Sequence, residues 1–443
     1  MRRQLTIKKG LDLKLRGCVT DAAPSRTAAA TSVAITPDDF PGFSPKPEVK
    51  AGDTVKAGSP LLRDKTDGRI KLCSPVSGTV REIVRGARRH IERVIVDADH
   101  SGGEVAFPSP GNPAELRFLL KESGVWAMMR QRPFDIVPLP DSEPRDIFVT
   151  LLDTAPLAAQ PAAMLAGRRD SMERGVKALA SLTRGKVYVA IPAGCPLEFD
   201  GAETIVVKGP HPAGNAGIIA ANIAPVNKGE TIWTLDGYTL ACIGDVAAGK
   251  PVDRTVPVAV TGPEVLSPQV LLTVPGAPAA ELLAGNLADG NHPLRVISGN
   301  VLTGENIGIG GWLRWPYRQL TVILDGSDVS EFMGWASLAP KMSLSRTFIS
   351  WLMPRRTFSP DARINGGRRP MIMSGIYERM IPMDIMPEFL IKAMLSHNIE
   401  QMEALGVYEV APEDFAAAEF ADPSKLELQH IVREGLDYLR REL

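Results

Sequence analysis

Two closely spaced turn motifs limit what the front of this chain can become. Val49–Ile83 carries Val-x-x-Gly-Asp-x-Val-x-x-Gly from Val49 to Gly58 and Pro-x-x-Gly-x-Val from Pro75 to Val80. Gly52 and Gly58 stand where short strands must reverse, because glycine accepts a positive φ at little cost. Val49, Val55, Leu61 and Val80 supply apolar residues at strand spacing. Short strands joined by Gly-Asp and Ser-Gly turns suit a small, flattened β-sandwich.

This pattern resembles the lipoyl/biotinyl type of barrel-sandwich hybrid. A carrier domain of that type needs a lysine on an exposed hairpin, and Lys65, within Arg63-Asp64-Lys65-Thr66, is the candidate. Its distance from the Gly52-Asp53 turn is shorter than in carrier hairpins, so a solvated hairpin lysine is the simpler reading.

A chain of 443 residues exceeds one compact core, and about two to four domains are expected. Lys+Arg of 50 against Asp+Glu of 51 gives a net charge of −1, which argues against nucleic-acid binding through bulk positive charge. No apolar run approaches the length of about 18 residues that spans a bilayer. Lys8, Lys9 and Asp12 follow the basic start before any long apolar segment, so no secretory signal is read. Cys18, Cys73, Cys195 and Cys242 form no Cys-x-x-Cys pair, and the histidines form no His-Glu-x-x-His spacing. Zinc, disulfide and iron–sulfur sites are therefore not expected, and scattered thiols fit a reducing cytosol.

Past the linker 107–113 the pattern changes. Ile147–Leu152 reads as a buried strand, followed by a helix through Met172, Val176, Leu179 and Leu182. Asp170 and Glu173 are expected to cap this helix and Gly185 to close it. Strands at 187–191 and 204–207 complete an alternating, Rossmann-like α/β pattern. The turn Lys208–Gly217 either presents backbone N–H groups to an anion or forms a tight crossover. It is neither Gly-x-Gly-x-x-Gly nor a Walker A loop, and no acidic residue follows at dinucleotide spacing. Strands at 256–260, 271–274, 296–301 and 320–324 around one helix at 279–287 suggest a β-grasp unit.

The last part is helical. A helix is expected from Pro387 to Leu405, stopped by Gly406, and another beginning at Ser424 with Glu427 at capping-box spacing. Leu428, Val432, Leu436, Leu439 and Leu443 give the second helix a stripe. Arg355, Arg356, Arg363, Arg368 and Arg369 crowd a Gly/Pro-broken loop, which is either solvated or docks on an acidic or headgroup surface. Seven methionines between Met371 and Met402 offer an adaptable core or a ligand-facing surface. The expected division is 1–110 barrel-sandwich hybrid, 111–255 Rossmann-like α/β, 256–345 β-grasp with returning strands, and 346–443 basic loop with C-terminal helices.

Segments along the whole chain carry a family resemblance. They include Ile7–Asp12, Ser74–Val80, Gly209–Asn215, Ile232-Trp233-Thr234, Ile297–Gly304, Gly334-Trp335, Tyr377–Pro382, Pro423-Ser424-Lys425 and Arg433–Asp437. In order and spacing they resemble the A subunits of the sodium-translocating NADH:quinone oxidoreductases, and more distantly the C subunits of Rnf complexes. The resemblance implies a peripheral protein on the cytoplasmic face of the membrane. Its complex passes electrons from NADH to quinone and exports Na⁺. The resemblance places flavins and iron centres in other subunits and gives this chain no cofactor of its own. It implies contact with quinone and with the membrane B subunit. It also implies a soluble-ligand-binding β-grasp unit. Where many relatives carry cysteines ahead of Pro-Ser-Lys, this chain has Ala418 and Asp422, which leaves no cluster ligands there.

No Ser/His/Asp, paired-carboxylate or Cys/His constellation stands out, so no catalytic, cofactor-binding or metal residue is assigned. Quinone or partner contact is expected at Met383, Phe389 and Arg379, since methionine and phenylalanine accommodate a flat ring and arginine can bond a carbonyl. Docking is expected at Arg355, Arg356, Arg368 and Arg369. Two alternatives remain: a purely structural assembly component without ligand, and a standalone carrier using Lys65 or the His211 loop.

Overall fold

The computed structural model describes residues 2–288, 290–329, 341–344 and 347–443. The Gly334-Trp335 motif and the expected boundary at 345 lie outside these residues. Four sheets organise the described chain.

The glycine-turn segment folds as a sandwich of two antiparallel sheets. One holds Ser32–Ile35, Ile91–Ala98, Gly78–Arg85 and Thr54–Val55 in that order, and the other Pro45–Pro47, Pro60–Asp64 and Lys71–Cys73. Val33, Leu61, Leu62, Val80 and Val94 fill the space between them. Gly52 has φ 92° and open space around it, so its turn requires the conformation and not the small size. Gly78 requires the size, because a Cβ there would lie 1.8 Å from the Asp97 carbonyl oxygen. Lys65 is exposed, but its hairpin is tied down: the Asp64 carboxylate accepts from the Thr66 and Ser44 amides, and Arg69 pairs with Asp141 of the following unit at 2.6 Å.

The second unit is built on a six-stranded sheet. Its order is Arg2–Thr6, Glu203–Lys208, Val187–Pro192, Asp146–Thr150, Ile232–Asp236 and Arg130–Arg132. All pairs are parallel except the last. Side chains alternate between two cores, as the pleat requires. Ile147, Val149, Val187 and Val189 face one core; Phe148, Tyr188, Ala190 and Ile205 face the other, with Phe148 and Tyr188 stacked at 4.8 Å. Over the first face, helices Arg169–Ala180 and Gly237–Ala247 cross closely, since Gly175 and Gly244 leave no room for a Cβ against the Leu240 and Ser171 carbonyls.

Several expectations change here. Arg168, not Asp170, occupies the N-cap; Asp170 falls in the first turn, where it meets the positive helix end. The helix stops at Ala180, ahead of Gly185, which instead packs against the Arg145 carbonyl. The supposed linker leads directly into an unexpected helix, Pro113–Glu122. Asn112 caps it by accepting from the Glu115 amide at 2.9 Å, and Glu115 reaches back to the Gly111 amide.

A mixed sheet follows, in the order Glu305–Asn306, Leu294–Ser298, Gln319–Leu324, Val256–Thr261, Gln269–Thr273 and Pro24–Thr27. Its central pair is parallel, flanked by antiparallel pairs, and its helix is shorter than expected at Ala279–Leu283. Residues 2–6 and 24–27, placed with the barrel-sandwich by the division at 110, pair instead into the second and third units. The N-terminal chain thus stitches two sheets together.

The C-terminal helices cover the second face of the parallel sheet. The helix expected from Pro387 to Leu405 is two: Pro387–Leu395 and Ile399–Ala404, broken at His397 with φ 52°. Gly406 does end the second, at φ 101°. The last helix is Leu428–Glu442, beginning four residues beyond Ser424, whose hydroxyl donates to the Pro370 carbonyl instead of capping. Leu428, Val432, Leu436 and Leu439 are buried as the stripe requires, whereas Leu443 is exposed. Fully buried Arg132 on the antiparallel edge strand holds this layer, donating to Asp414 at 2.8 Å and to the Glu409 carbonyl at 2.7 Å. Removing one partner of such a pair leaves a buried charge uncompensated. Asp414→Ala is therefore expected to lower the chemical-denaturation stability of the purified chain by about 3–5 kcal/mol. A loss below about 1 kcal/mol would contradict this role.

Candidate functional site

Strands Asp146–Thr150 and Ile232–Asp236 lie side by side where the strand order reverses: from the first the chain steps outward to Val187–Pro192 and Glu203–Lys208, then crosses back to the second. In open α/β sheets such a switch point opens a crevice for ligands. A cavity of about 540 Å³ lies here, walled by all four parts of the chain.

One wall is an ion network, in which Arg318 Nε and Nη2 are buried without a hydrogen-bond partner. Asp39 of the sandwich accepts from Arg314 of the mixed sheet at 2.6 Å and from the Trp315 amide at 3.0 Å, and Arg314 also pairs with Glu305 at 2.7 Å. Arg130 donates to the Asp39 carbonyl at 2.6 Å. The Arg318 guanidinium lies between the rings of Trp315 and Tyr238, 4.3 and 4.5 Å from their centroids, and pairs with Asp236 at 3.1 Å. Asp236 also caps the helix that follows it, accepting from the Thr239 amide. Burial pushes Asp39 up to about 6, with Arg314 opposing the rise.

The other wall is the turn Lys208–Gly217. Gly209 packs against Ile7, and Gly10 packs against the His211 carbonyl with no room for a Cβ. The amides of His211, Ala213, Gly214 and Asn215 already donate to Asp12, Pro210, Thr154 and Pro212. The turn is therefore a tight crossover, and these N–H groups are not offered to an anion. His211 is 3% exposed, and burial pushes it down to about 4, so it is neutral near pH 7. Thr154 Oγ1 accepts from the Gly214 amide and lies 3.3 Å from His211 Nδ1. Nε2 is buried without a partner. Beside this loop, Asp153 accepts from the Ala155 amide and is pushed up by burial. Glu413 is also raised, by burial and then by its neighbour Asp414, against the pull of Arg132.

The residues expected from sequence lie elsewhere, on the C-terminal layer. Met383 is 7% exposed and packs in the second core, while Phe389 is 47% exposed on the outer face of its helix. Phe389 shares that face with Met386, Lys392 and Leu395, all exposed. Arg379 is exposed, its Nε donating to the Gly375 carbonyl. Met383 and Phe389 thus point into different surroundings. Arg355, Arg356 and Arg369 are exposed; Arg368 pairs with Glu427 at 2.5 Å, and Arg363 with Asp361 at 2.7 Å. Exposed Trp351, Leu352, Ile364 and Ile372 belong to the same segment. Among the described residues, no group of three or more His, Cys, Asp or Glu is placed to hold a metal ion.

Sequence reading missed the cleft. Its signals were the dense run Arg314-Trp315-Pro316-Tyr317-Arg318 and the Asp236-Gly237-Tyr238 turn after a strand, neither of which has a motif name.

The two walls have opposite pH linkage. Asp39, raised when folded, contributes stability that is present below about pH 4 and lost as pH rises through 6. His211, lowered when folded, contributes stability that is present above its ordinary value and lost as pH falls toward 4. Each amounts to about 3 kcal/mol and they nearly cancel. The stability difference between wild type and Asp39→Asn is expected to shrink between pH 4 and pH 6, and that between wild type and His211→Gln to grow. Denaturation midpoints across this range check both signs.

Comparison with known proteins gives the family. The chain matches the models for the NqrA N-terminal barrel-sandwich hybrid domain over residues 5–99, the NqrA second alpha/beta domain over 112–249 and the NQRA C-terminal domain over 257–308. It is 35% identical to the A subunit of the Na(+)-translocating NADH-quinone reductase from Rhodopirellula baltica, covering 98% of both chains. The corresponding A subunits from Neisseria meningitidis serogroup B and Shewanella amazonensis are each 34% identical over 99% of this chain and 100% of theirs. A crystal structure of an NAD+-reducing [NiFe]-hydrogenase in the H2-reduced state covers 48% of this chain and 47% of its own, at 10% identity and a TM-score of 0.34, and carries no argument. Matched end to end at this identity, the chain belongs to the family of A subunits of the Na⁺-translocating NADH-quinone reductases.

Proposed function

We propose that this chain works as the peripheral A subunit of a Na⁺-translocating NADH:quinone reductase, on the cytoplasmic face of the membrane. The observation that carries this is the match to A subunits over nearly the full length of both partners. In this reading the flavins and iron centres belong to other subunits, and this chain supplies structure and contacts to the electron-transfer complex. Among the described residues no helix is long and apolar enough to cross a membrane, which fits a peripheral protein.

The units are 1–110, 111–255, 256–345 and 346–443, with the N-terminal strands exchanged between them. Two parallel neighbours flanked by antiparallel pairs, with a helix between the second and third strands of the unit, support the β-grasp reading. The switch point supports the Rossmann-like reading. The tethered hairpin argues against a swinging arm at Lys65; a lipoyl or biotinyl mass increment on the Lys65 peptide would overturn this.

Docking on the membrane B subunit uses the segment 351–373, where exposed arginines lie among exposed apolar side chains. Guanidiniums favour acidic or headgroup surfaces, and such contacts fade beyond about 8 Å at physiological ionic strength. Arg355→Glu with Arg356→Glu is expected to reduce recovery of the chain with its membrane partner at moderate salt and to leave the melting of the isolated chain unchanged. Unaltered recovery would count against this surface.

Quinone contact, if made by this chain, falls on the exposed face of Met386 and Phe389 near Arg379. Met383 acts from behind as core. Met383→Ala is expected to destabilise the isolated chain by about 2–5 kcal/mol. Phe389→Ala is expected to change stability by less than about 1 kcal/mol while lowering quinone affinity or inhibitor sensitivity in the assembled complex. Unchanged quinone kinetics with Phe389→Ala would favour an assembly role without ligand.

A further inference from the structure

Exposed apolar side chains and unpaired cations meet in one short turn, 349–356. Ile349, Trp351, Leu352 and Met353 are between 37% and 60% exposed, and only Ser350 of this run is buried. Consecutive exposed apolar residues of this size mark a contact surface. Arg355 and Arg356 follow directly, both exposed, and residues 347–360 contain no Asp or Glu. The stem of the turn is fixed to the N-terminal chain. The Phe358 amide donates to the Lys14 carbonyl at 2.8 Å, and the Phe358 carbonyl accepts from the Arg16 amide at 2.9 Å. Lys14 Nζ donates to the Pro354 carbonyl, and Arg16 Nη2 to the Pro263 carbonyl. Arg356 lies against Met353 Sδ and the Phe358 ring. Lys14 and Arg16 are exposed too, so four cations from two segments surround the apolar tip. Among the described residues none of the four is paired with a carboxylate.

We propose that the turn 349–356 enters the interfacial layer of a bilayer containing anionic lipid, with Lys14, Arg16, Arg355 and Arg356 on the headgroups. A tryptophan suits the boundary between acyl chains and headgroups, because its ring is apolar and its N–H polar. Leu352 and Met353 gain by leaving water for the acyl chains. The arginine stems lie along apolar surface while their guanidiniums stay among lipid phosphates. Apolar burial and attraction to anionic headgroups then add. A second copy of this chain is disfavoured as the occupant, since cations would face cations with no carboxylate between them. An acidic protein surface would match the charges but not the apolar tip, whereas an anionic bilayer matches both. The inference rests on the peripheral-subunit reading and divides its docking surface, giving 349–356 to lipid and leaving 363–373 to the B subunit.

Flotation of the purified full chain with lipid vesicles tests this with no other subunit present. At about 0.1 M salt, vesicles of equal parts phosphatidylcholine and phosphatidylglycerol are expected to bind the chain at least about tenfold more tightly than phosphatidylcholine alone, and less tightly as salt rises. Arg355→Glu with Arg356→Glu is expected to weaken binding to the anionic vesicles at least about tenfold. Leu352→Ser with Met353→Ser keeps the charge, changes only exposed side chains, and is expected to weaken it about tenfold with unchanged melting. Bromine on the acyl chains is expected to quench the fluorescence of the bound chain, and Trp351→Phe to lose most of that quenching. No saturable binding to the anionic vesicles, equal binding to the neutral ones, or undiminished binding by either folded double variant would overturn the proposal. So would quenching that Trp351→Phe leaves unchanged. A double variant that binds vesicles normally but is no longer recovered with the membrane subunits would assign the tip to protein instead. Each such failure leaves the A-subunit reading standing, since that reading is tested by recovery and activity in the complex.

Discussion

Burial of the central parallel sheet on both faces is the constraint from which the rest of this structure follows. Parallel strands need cover on each side, and the alternation Ile147, Phe148, Val149 sends apolar side chains both ways. Helices Arg169–Ala180 and Gly237–Ala247 cover one face, and the core there continues into the sandwich and the mixed sheet through Val33, Trp126, Leu240, Val258 and Val322. The other face is closed by Ala216–Ile223 and by C-terminal side chains such as Tyr377, Leu390, Met402 and Leu436. The C-terminal helices are therefore a required layer of the α/β unit, which explains why several methionines of the Met-rich stretch are core.

Continuous cores bring four sequence regions to one crevice. Asp39 and Arg314 link the sandwich to the mixed sheet across it, and Arg132 with Asp414 fixes the C-terminal layer behind it. The N-terminal chain reinforces the arrangement, with residues 2–6 in the parallel sheet and 24–27 in the mixed one. A cleft built at such a junction is held open by ion pairs and stacked guanidinium, and its shape depends on each unit staying docked.

Local signals made much of this fold legible. Gly52 and Gly58 marked sandwich turns because positive φ is a local requirement, and the strands at 187–191, 204–207 and 256–260 were readable as short β-branched runs. Helix ends were read less well. Asp170 and Ser424 have capping chemistry, but tertiary contacts moved both helix starts, and the Asn112-Pro113-x-Glu115 signature was present and passed over. The exchange of N-terminal strands was invisible because pairing across more than 190 residues leaves no local pattern. The cleft was hidden for the same reason: Asp39, Asp153, Arg318 and Glu413 acquire meaning only when brought together. Of the expected contact residues, Phe389 and Met383 share a sequence neighbourhood yet differ in exposure, since Phe389 lies on the outer face of its helix while Met383, in the loop before that helix, packs into the second core.

The most direct measurement of the account is complementation. A bacterium whose Na⁺-translocating NADH:quinone reductase lacks its own A subunit would receive this chain, and Na⁺-dependent quinone reduction by its membranes would be measured. The account predicts that this chain is recovered with the membrane subunits and that Na⁺-stimulated NADH:quinone activity returns. Stable expression of the folded chain with neither membrane recovery nor restored activity would contradict it.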